Sequence, residues 1–167
     1  FFFSKGGQGG IARKTYLGNV GGTPPTNLWQ YADVGHTDEA AKILRAIFDG
    51  KAAFDTPKPP RLIERILQIA GDKDTLILDS FAGSGTTAHA VLNMNKADGG
   101  HRRFILVEMM DYAESITAER VKRVIDGYGE GKNAVEGTGG DFTFYDLGPV
   151  LLLPNGNLNE DVGAAKI

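Results

Sequence analysis

The feature that most constrains this chain is a short apolar run that ends in an acid and passes through a glycine-rich turn into a helix-like stretch, 75-TLILDSFAGSGTTAHAVL-92. The letters GSGTTA at 83–88 fit the pattern G-x-G-x-x-G/A, in which glycines allow a tight turn from strand to helix and a close backbone approach to a ligand. The simpler alternative is a turn that only lets a helix pack closely against a strand. The pattern predicts a strand–turn–helix unit with a ligand at the start of the helix.

A second apolar strand that also ends in an acid strengthens this interpretation. It reads 104-FILVE-108, and Glu108 follows Gly85 by 23 residues; a carboxylate that binds the ribose of a nucleotide cofactor lies about 20 residues on. Helix-like stretches precede both strands and follow the second, and 141-DFTFYDL-147 alternates as a third strand would. This order predicts an α/β layered sheet with parallel strands.

Three classes of ligand compete for the glycine turn. A nucleoside triphosphate site would need the lysine of GxxxxGK[ST], which is absent after Gly85. A dinucleotide would bring its pyrophosphate toward Asp79, and a like-charge contact of this kind is strongly unfavourable. S-adenosylmethionine has no phosphate; its ammonium can bind the Asp79 carboxylate while helix-start N–H groups bind its own carboxylate. The residues favour S-adenosylmethionine, with an NAD-binding dehydrogenase domain and a non-catalytic S-adenosylmethionine-binding module as the alternatives.

Composition narrows the range of functions. Eighteen basic and 21 acidic residues give a net charge of −3, which is no overall electrostatic footprint for nucleic acid. Arg120, Lys122 and Arg123 lie near acids on one predicted helix, which favours a solvated helix face. The absence of cysteine excludes thiolate metal sites, and His89 has no metal-ligand partner at a useful spacing, so no metal site is predicted. No apolar run approaches the roughly 20 residues that span a bilayer, so no membrane contact is expected.

With these residues in hand, the chain resembles the amino-methylating DNA methyltransferases, especially the modification subunits of type III restriction-modification systems. The stretch 79-DSFAGSGTTA-88 resembles their cofactor motif I, and 105-ILVE-108 resembles the strand of motif II. Upstream, 54-FDTPKPPRLIERIL-67 resembles their motif X. The resemblance covers roughly residues 27–126. It implies the Rossmann-like fold of S-adenosylmethionine-dependent methyltransferases, incomplete here because the chain would carry only the cofactor-binding half of the sheet.

The resemblance also implies a cofactor-binding set spread over motifs X, I and II. Lys58 or the backbone beside it is expected to meet the carboxylate of S-adenosylmethionine, Phe81 to pack on its methionine or adenine portion, and Glu108 to bind its ribose. For Lys58 a solvated surface lysine is the alternative, and for Phe81 a core aromatic under the sheet. The predicted cofactor-binding residues are Thr56, Lys58, Asp79, Phe81, Ala82, Gly83, Ser84, Gly85, Thr86 and Glu108.

The family's catalytic tetrapeptide, Asp/Asn/Ser-Pro-Pro-aromatic, has no match in the chain. In 23-TPPT-26 nothing can stack on a flipped base, and in 59-PPRL-62 the proline pair opens a helix. We therefore predict no catalytic residue here. In the family arrangement called beta the catalytic motif precedes motif X. A piece that starts late in that order, without an initiator Met, would carry motifs X, I and II and lack the tetrapeptide.

The expected function is that of a fragment. The parent would transfer a methyl group in line, without a covalent enzyme intermediate, from S-adenosylmethionine to N6 of adenine in DNA, with N4 of cytosine as the second choice. The fragment would bind cofactor without methylating. Expected partners are double-stranded DNA through the parent protein, a restriction or helicase subunit, and a second copy of the chain joined at an exposed sheet edge. The expected location is the cytoplasm of a bacterium or archaeon.

Three segments are predicted along the chain. Residues 1–35 are rich in Gly, Pro, Thr and Asn and are expected to be irregular, with the tail of a target-recognition region as one interpretation. Residues 36–153 are expected to form the S-adenosylmethionine-binding α/β domain. Residues 154–167 are expected to form a C-terminal tail.

Overall fold

The computed structural model describes residues 2–3, 11–12, 21, 24–159 and 162. The helices are α1 (Tyr31–Val34), α2 (Thr37–Ile47), α3 (Pro60–Ala70), α4 (Thr86–Asp98) and α5 (Glu119–Asp126). The strands are β1 (Phe2–Phe3), β2 (Ile11–Ala12), β3 (Leu76–Asp79), β4 (Arg103–Leu106), β5 (Gly127–Tyr128) and β6 (Val135–Glu136). A π-helical turn, Ala113–Ala118, runs directly into α5, and the two together are called the 113–126 helix. None of these described helices is long and apolar enough to cross a membrane.

The centre of the fold is a β–α–β unit made of β3, α4 and β4. The two strands pair in parallel, with Leu76 opposite Arg103 and Asp79 opposite Leu106. Parallel strands cannot be joined by a tight hairpin and need a crossover, which α4 supplies. The predicted α/β arrangement with parallel strands is confirmed for this pair.

The core forms around α4, which is buried on almost every side. Ala88, Ala90 and Val91 are 0% exposed, as a helix without a separate polar stripe requires. Val91 clusters with Leu67 of α3, whereas Ala88 and Leu92 cluster with residues of α2 and of the 113–126 helix. Helix α4 therefore contributes to both apolar clusters, and Phe104 of β4 packs against both as well.

The β3–β4 sheet buries one face only. Ile77 and Phe104 pack against the apolar cluster under α4. Side chains alternate along a strand, and the opposite face leaves Leu78 64%, Ile105 49% and Val107 51% exposed. This open face is apolar, whereas parallel sheets in proteins are normally covered on both sides.

The segment 1–35, predicted as irregular, contains regular elements where the structure describes it. Strands β1 and β2 pair antiparallel, and α1 lies at its end. Residues 4–10 and 13–20 lie outside the described residues, as do 160–161 and 163–167 of the predicted tail. The target-recognition interpretation and the three segment boundaries stay predictions.

The third strand, predicted at 141–147, is wrong. These residues have no strand assignment, and Tyr145 and Leu147 are 83% and 97% exposed. Residues 141–147 form no hydrogen-bonded ladder with any described strand. Instead, β5 and β6 form a short antiparallel pair within the glycine-rich stretch 127–140.

Replacing a core leucine tests the arrangement around α4. Leu44, which is 1% exposed in the α2 cluster, should lose about 2–5 kcal/mol of unfolding free energy as Leu44→Ala, because the cavity left behind collapses only in part. Leu147→Ala is the matched control, expected to change that free energy by less than about 0.5 kcal/mol because its side chain is exposed. Urea unfolding followed by circular dichroism measures both. Equal effects of the two substitutions would contradict the described core.

Candidate functional site

The glycine turn between β3 and α4 is closed by backbone hydrogen bonds. The Ala82 N–H donates to the Val107 carbonyl (3.0 Å), which ties the turn to the end of β4, and the Gly85 N–H donates to the Ala82 carbonyl (2.8 Å). Gly83 and Gly85 have φ angles of 52° and 77°, in the left-handed region that glycine adopts at little cost. The conformation of the turn therefore favours glycine at both positions.

Two side chains of the 113–126 helix hold the carbonyl groups of this turn. Thr117 Oγ1 donates to the Gly83 carbonyl (2.6 Å), and Arg120 Nη1 donates to the Ser84 carbonyl (3.1 Å). Gly85 lies so close to the same helix that a Cβ there would be 3.1 Å from the Thr117 carbonyl oxygen. A trans peptide points its C=O and N–H in opposite directions, so the Ser84 N–H points away from the 113–126 helix.

The backbone amides at the start of α4 are available to a ligand. The N–H groups of Ser84, Thr86 and Thr87 have no hydrogen-bond partner within the described part of the chain. Thr86 and Thr87 open the helix, where N–H groups lack intrahelical acceptors. These amides lie at the positive end of the helix dipole. The start of α4 is therefore suited to an anionic group such as a carboxylate.

Asp79 ends β3, and its carboxylate is held against the turn. Oδ2 accepts a 2.5 Å hydrogen bond from Thr87 Oγ1, and Oδ1 accepts a 3.1 Å bond from the Phe81 N–H. A carboxylate has about four acceptor positions, so Asp79 keeps the capacity to bind a cationic donor. The structure fixes the position of this carboxylate; its contact with a cofactor ammonium stays a prediction.

Glu108 lies beside the same turn although 25 residues separate it from Gly83. Its Oε2 accepts the Gly83 N–H (2.8 Å), and its Oε1 accepts the N–H groups of Met109 (2.9 Å) and Met110 (3.1 Å). The sequence predicts the place of this acid but not these partners. Both oxygens already bind backbone, so a ribose would have to share or replace these hydrogen bonds.

The predicted motif X lies against the start of α4. Thr86 Oγ1 donates to the Lys58 carbonyl (3.3 Å), and Pro57 is fully buried, which fixes the extended segment next to the turn. The side chains of Thr56 and Lys58 are exposed and form no hydrogen bond with another described residue. The solvated alternative therefore describes Lys58 in this structure, and cofactor contacts of Thr56 and Lys58 stay predictions.

One aromatic ring projects from the turn and another supports it. Phe81 is 84% exposed whereas Ala82 is 6% exposed, so the alternative of a core aromatic at Phe81 is wrong. The sequence does not predict that Phe54 supports the turn. Its ring lies next to Gly83, where an added Cβ would be 3.5 Å from Phe54 Cζ. Phe54 also packs edge to face on Tyr112, with ring centroids 5.4 Å apart. The available signal was its place as the first letter of 54-FDTPKPP-60.

Arg120 is the site residue that the sequence analysis places wrongly. It is predicted on a solvated helix face, but it is 0% exposed. Of its basic neighbours, Lys122 is exposed and Arg123 forms two ion pairs. The available signal was helical spacing, because Arg120 shares one face of its helix with the buried Val121 and Val124.

The Arg120 guanidinium also contacts the buried His89. Arg120 Nη2 lies 3.1 Å from His89 Nδ1, which must accept because a guanidinium has only donors. Burial, and then the charge of Arg120, lower the pKa of His89 to about 3, and burial lowers the pKa of Arg120 to about 10. At neutral pH Arg120 is therefore charged and the imidazole is neutral. His89 is therefore a buried residue whose Nδ1 is hydrogen-bonded within the fold.

Comparison with known proteins gives the family of the chain. The family profile described as DNA methylase, for N6 and N4 methyltransferases, matches residues 7–119. The chain is 46% identical over 105 residues to the type III restriction-modification enzyme StyLTI Mod subunit of Salmonella typhimurium, covering 63% of this chain and 16% of that protein. It is 46% identical over 81 residues to the type II methyltransferase M.KpnI of Klebsiella pneumoniae, covering 48% and 19%.

A further relative is the type III restriction-modification enzyme EcoPI Mod subunit of Escherichia phage P1. It is 39% identical over 95 residues, covering 55% of this chain and 14% of that protein. The chain thus spans less than a fifth of the length of these three relatives.

The close approach of Gly85 to the 113–126 helix predicts a graded effect of adding a methyl group. Gly85 and Gly99 are the left-handed residues at the two ends of α4, and a Cβ on Gly99 would have no atom of the described residues within 4 Å. Gly99→Ala should cost about 1–2 kcal/mol from backbone strain. Gly85→Ala should cost about 1 kcal/mol more, because the added Cβ presses on the Thr117 carbonyl. Urea unfolding measures both free energies, and equal losses would contradict the described contact.

The neutral, buried His89 predicts a loss of stability in mild acid. Its folded-state pKa of about 3 lies below the ordinary value of 6.5, so the unfolded chain binds the proton more tightly. Its contribution is fully present above pH 6.5 and is lost as the pH falls toward 3. Between pH 6.5 and 4.5 the unfolding free energy should fall more steeply than in His89→Gln, by up to about 1.4 kcal/mol per pH unit. Parallel pH profiles of the two proteins would contradict the buried neutral state.

Proposed function

Because the chain belongs to the N6/N4 DNA methylase family, we propose that it is the S-adenosylmethionine-binding part of a site-specific DNA methyltransferase that acts on the exocyclic amino group of adenine. The observation that carries the proposal is the glycine turn. Asp79 stands at the end of the strand before it, free amides stand at the start of the helix after it, and Glu108 binds it from the side.

The charges around the turn fit S-adenosylmethionine better than a dinucleotide. A pyrophosphate at the start of α4 would lie near the carboxylate of Asp79, which the Thr87 hydroxyl holds at the first turn of the helix. The α-amino acid part of S-adenosylmethionine carries both signs, so its ammonium suits Asp79 while its carboxylate suits the free amides. Glu108 is the acceptor available to a ribose hydroxyl once its backbone hydrogen bonds are shared or exchanged.

When bound, S-adenosylmethionine supplies an electrophilic methyl group, which an amino nitrogen accepts as the electron pair of the C–S bond passes to sulfur and the nitrogen releases a proton. In this chain Asp79, the turn and Glu108 would hold and orient the donor. No residue of the chain is assigned to the acceptor base, since the catalytic tetrapeptide of the family has no match in it. The complementary half of the parent protein would supply those residues.

The open face of the β3–β4 sheet supports an incomplete Rossmann-like fold. On this face the side chains of Leu78, Ile105 and Val107 are 64%, 49% and 51% exposed. Parallel strands normally lie between two helical layers. Further strands and helices of the parent would cover this apolar face. A trough of about 910 Å³ along β4, lined among others by Phe104 and Phe142, marks a second surface for the parent to fill.

The relatives suggest partners for the parent protein. Two of them are named as Mod subunits of type III restriction-modification enzymes, which supports double-stranded DNA as the substrate and a restriction or helicase subunit as a partner. A second copy of the chain would join at the outer strand edges of the β3–β4 sheet. A bacterial or archaeal cytoplasm fits such a system.

Calorimetric titration of the 167-residue chain with S-adenosylmethionine tests the proposal, with NAD as the competing ligand. Asp79→Asn keeps an acceptor for the Thr87 hydroxyl but removes the negative charge. It should therefore weaken S-adenosylmethionine binding about tenfold, the effect of losing one charge-assisted hydrogen bond. Asp74→Asn is the matched control: it lies before β3, its side chain is exposed, and it should leave the affinity unchanged.

Other results of this titration would point elsewhere. Selective binding of NAD would favour the dehydrogenase alternative and refute the argument from the charge of Asp79. Unchanged S-adenosylmethionine binding in Asp79→Asn would keep the family's cofactor but remove Asp79 as the acceptor of its ammonium.

A further inference from the structure

We propose that Arg120 is a positioning residue for the carboxylate end of S-adenosylmethionine: its bond to the Ser84 carbonyl fixes the peptide plane between Ser84 and Gly85 in the glycine turn, and it places a buried positive charge behind the free helix-start amides. This inference rests on the proposed function, because it names the part of the cofactor that the turn recognises.

Arg120 is set apart from three other arginines of the chain by its partners. Arg61, Arg102 and Arg123 each form an ion pair with a carboxylate, at 2.7, 2.9 and 2.7 Å. No carboxylate of the described residues lies within ion-pair distance of the Arg120 guanidinium, although Arg120 is 0% exposed. A buried charge without a counter-charge is strongly destabilising. A folding role alone would be served by an apolar residue at this position.

The groups that bind Arg120 all belong to the turn and the first turn of α4. Its Nη1 donates to Ser84 O (3.1 Å), Ser84 Oγ (2.9 Å) and Thr86 Oγ1 (2.9 Å), and its Nη2 contacts His89 Nδ1 (3.1 Å). Nη1 has two hydrogens for three acceptors, so these bonds are shared. The Nε N–H is buried and has no hydrogen-bond partner among the described residues. The guanidinium therefore binds the turn and the start of α4 through Nη1 and Nη2, while its Nε N–H stays unsatisfied.

Two positive contributions meet at the start of α4. The helix dipole places about half a positive charge there, and the Arg120 guanidinium lies 2.9 Å from the hydroxyl of Thr86, the first residue of the helix. The positive end of the helix dipole and the Arg120 charge repel each other, and a negative group bound nearby would offset this repulsion. Attraction between charges is stronger in such a partly buried site than in water. The turn should therefore bind a ligand with a carboxylate better than the same ligand without one.

Paired ligands and paired variants separate this role from simple packing. The 167-residue chain is titrated with S-adenosylmethionine and with decarboxylated S-adenosylmethionine, which lacks only the carboxylate. Arg120→Gln should weaken binding of the first by about tenfold and of the second by less than about threefold, since one charge interaction of this kind is lost only with the first ligand. Arg120→Lys keeps the charge and should fall between. Arg45→Gln, an exposed arginine on α2, should change neither affinity.

A second readout needs no cofactor. Amide hydrogen exchange and amide chemical shifts of Ser84 and Gly85 report the conformation of the turn in the free chain. Both Arg120→Gln and Arg120→Lys should perturb these amides, because each loses the planar fork that binds the Ser84 carbonyl. Arg45→Gln should leave them unchanged. A thermal melt of each variant establishes that it is folded.

The outcomes separate this inference from the proposed function. Equal loss of affinity for both ligands would overturn the role of Arg120 toward the carboxylate. Unperturbed Ser84 and Gly85 amides would overturn its role in holding the turn. If Arg120→Gln does not fold, Arg120→Lys decides, and equal loss for both ligands again overturns the inference. Failure of the unsubstituted chain to bind either ligand would contradict the proposed function. If the unsubstituted chain binds S-adenosylmethionine but the Arg120 variants lose affinity equally for both ligands, only the role of Arg120 is contradicted.

Discussion

The contact between the 113–126 helix and the glycine turn is the interaction on which the rest of the site depends. Thr117 and Arg120 bind two successive carbonyls of the turn, and Gly85 is the residue that lets the helix approach this closely. The two peptide planes are thereby oriented: the Ser84 N–H, opposite the Gly83 carbonyl, stays free of any partner among the described residues, and the Gly85 N–H, opposite the Ser84 carbonyl, donates to the Ala82 carbonyl. The surface proposed to bind the ligand is thus shaped by contacts made on the opposite side of the same few peptides.

The β–α–β unit is the part of the fold that the sequence predicts well, because its determinants are local. An apolar strand, a glycine turn, a helix of small apolar residues and a second apolar strand follow one another in the sequence. A helix between two neighbouring strands is the crossover that parallel pairing requires. The strand predicted at 141–147 is wrong for the converse reason. Its alternating pattern describes one strand, but a strand also needs a partner that the pattern cannot supply. The residues stay unpaired and largely exposed.

Side-chain partners were the part of the site that sequence reasoning could not supply. The position of Glu108 at the end of the next strand is predicted from spacing, but its bonds to Gly83 and Met109 depend on how the loops close. Arg120 is predicted on a solvated helix face because acidic residues lie near it in the sequence. Its burial becomes understandable only when the turn provides several neutral acceptors at once, and those acceptors come from residues 84–89.

The arrangement of charge in the turn is the basis on which we propose that it distinguishes a sulfonium amino acid from a phosphate. The hydroxyls of the two threonines that open α4 bind groups of opposite charge: Thr86 accepts from Arg120, and Thr87 donates to Asp79. An anionic phosphate would gain from Arg120 but be repelled by Asp79, and a simple cation would meet the reverse. Only a ligand with both signs close together gains from both. Under the proposed function, the acid that is unfavourable for a dinucleotide would, together with the buried arginine, select the amino acid part of the methyl donor.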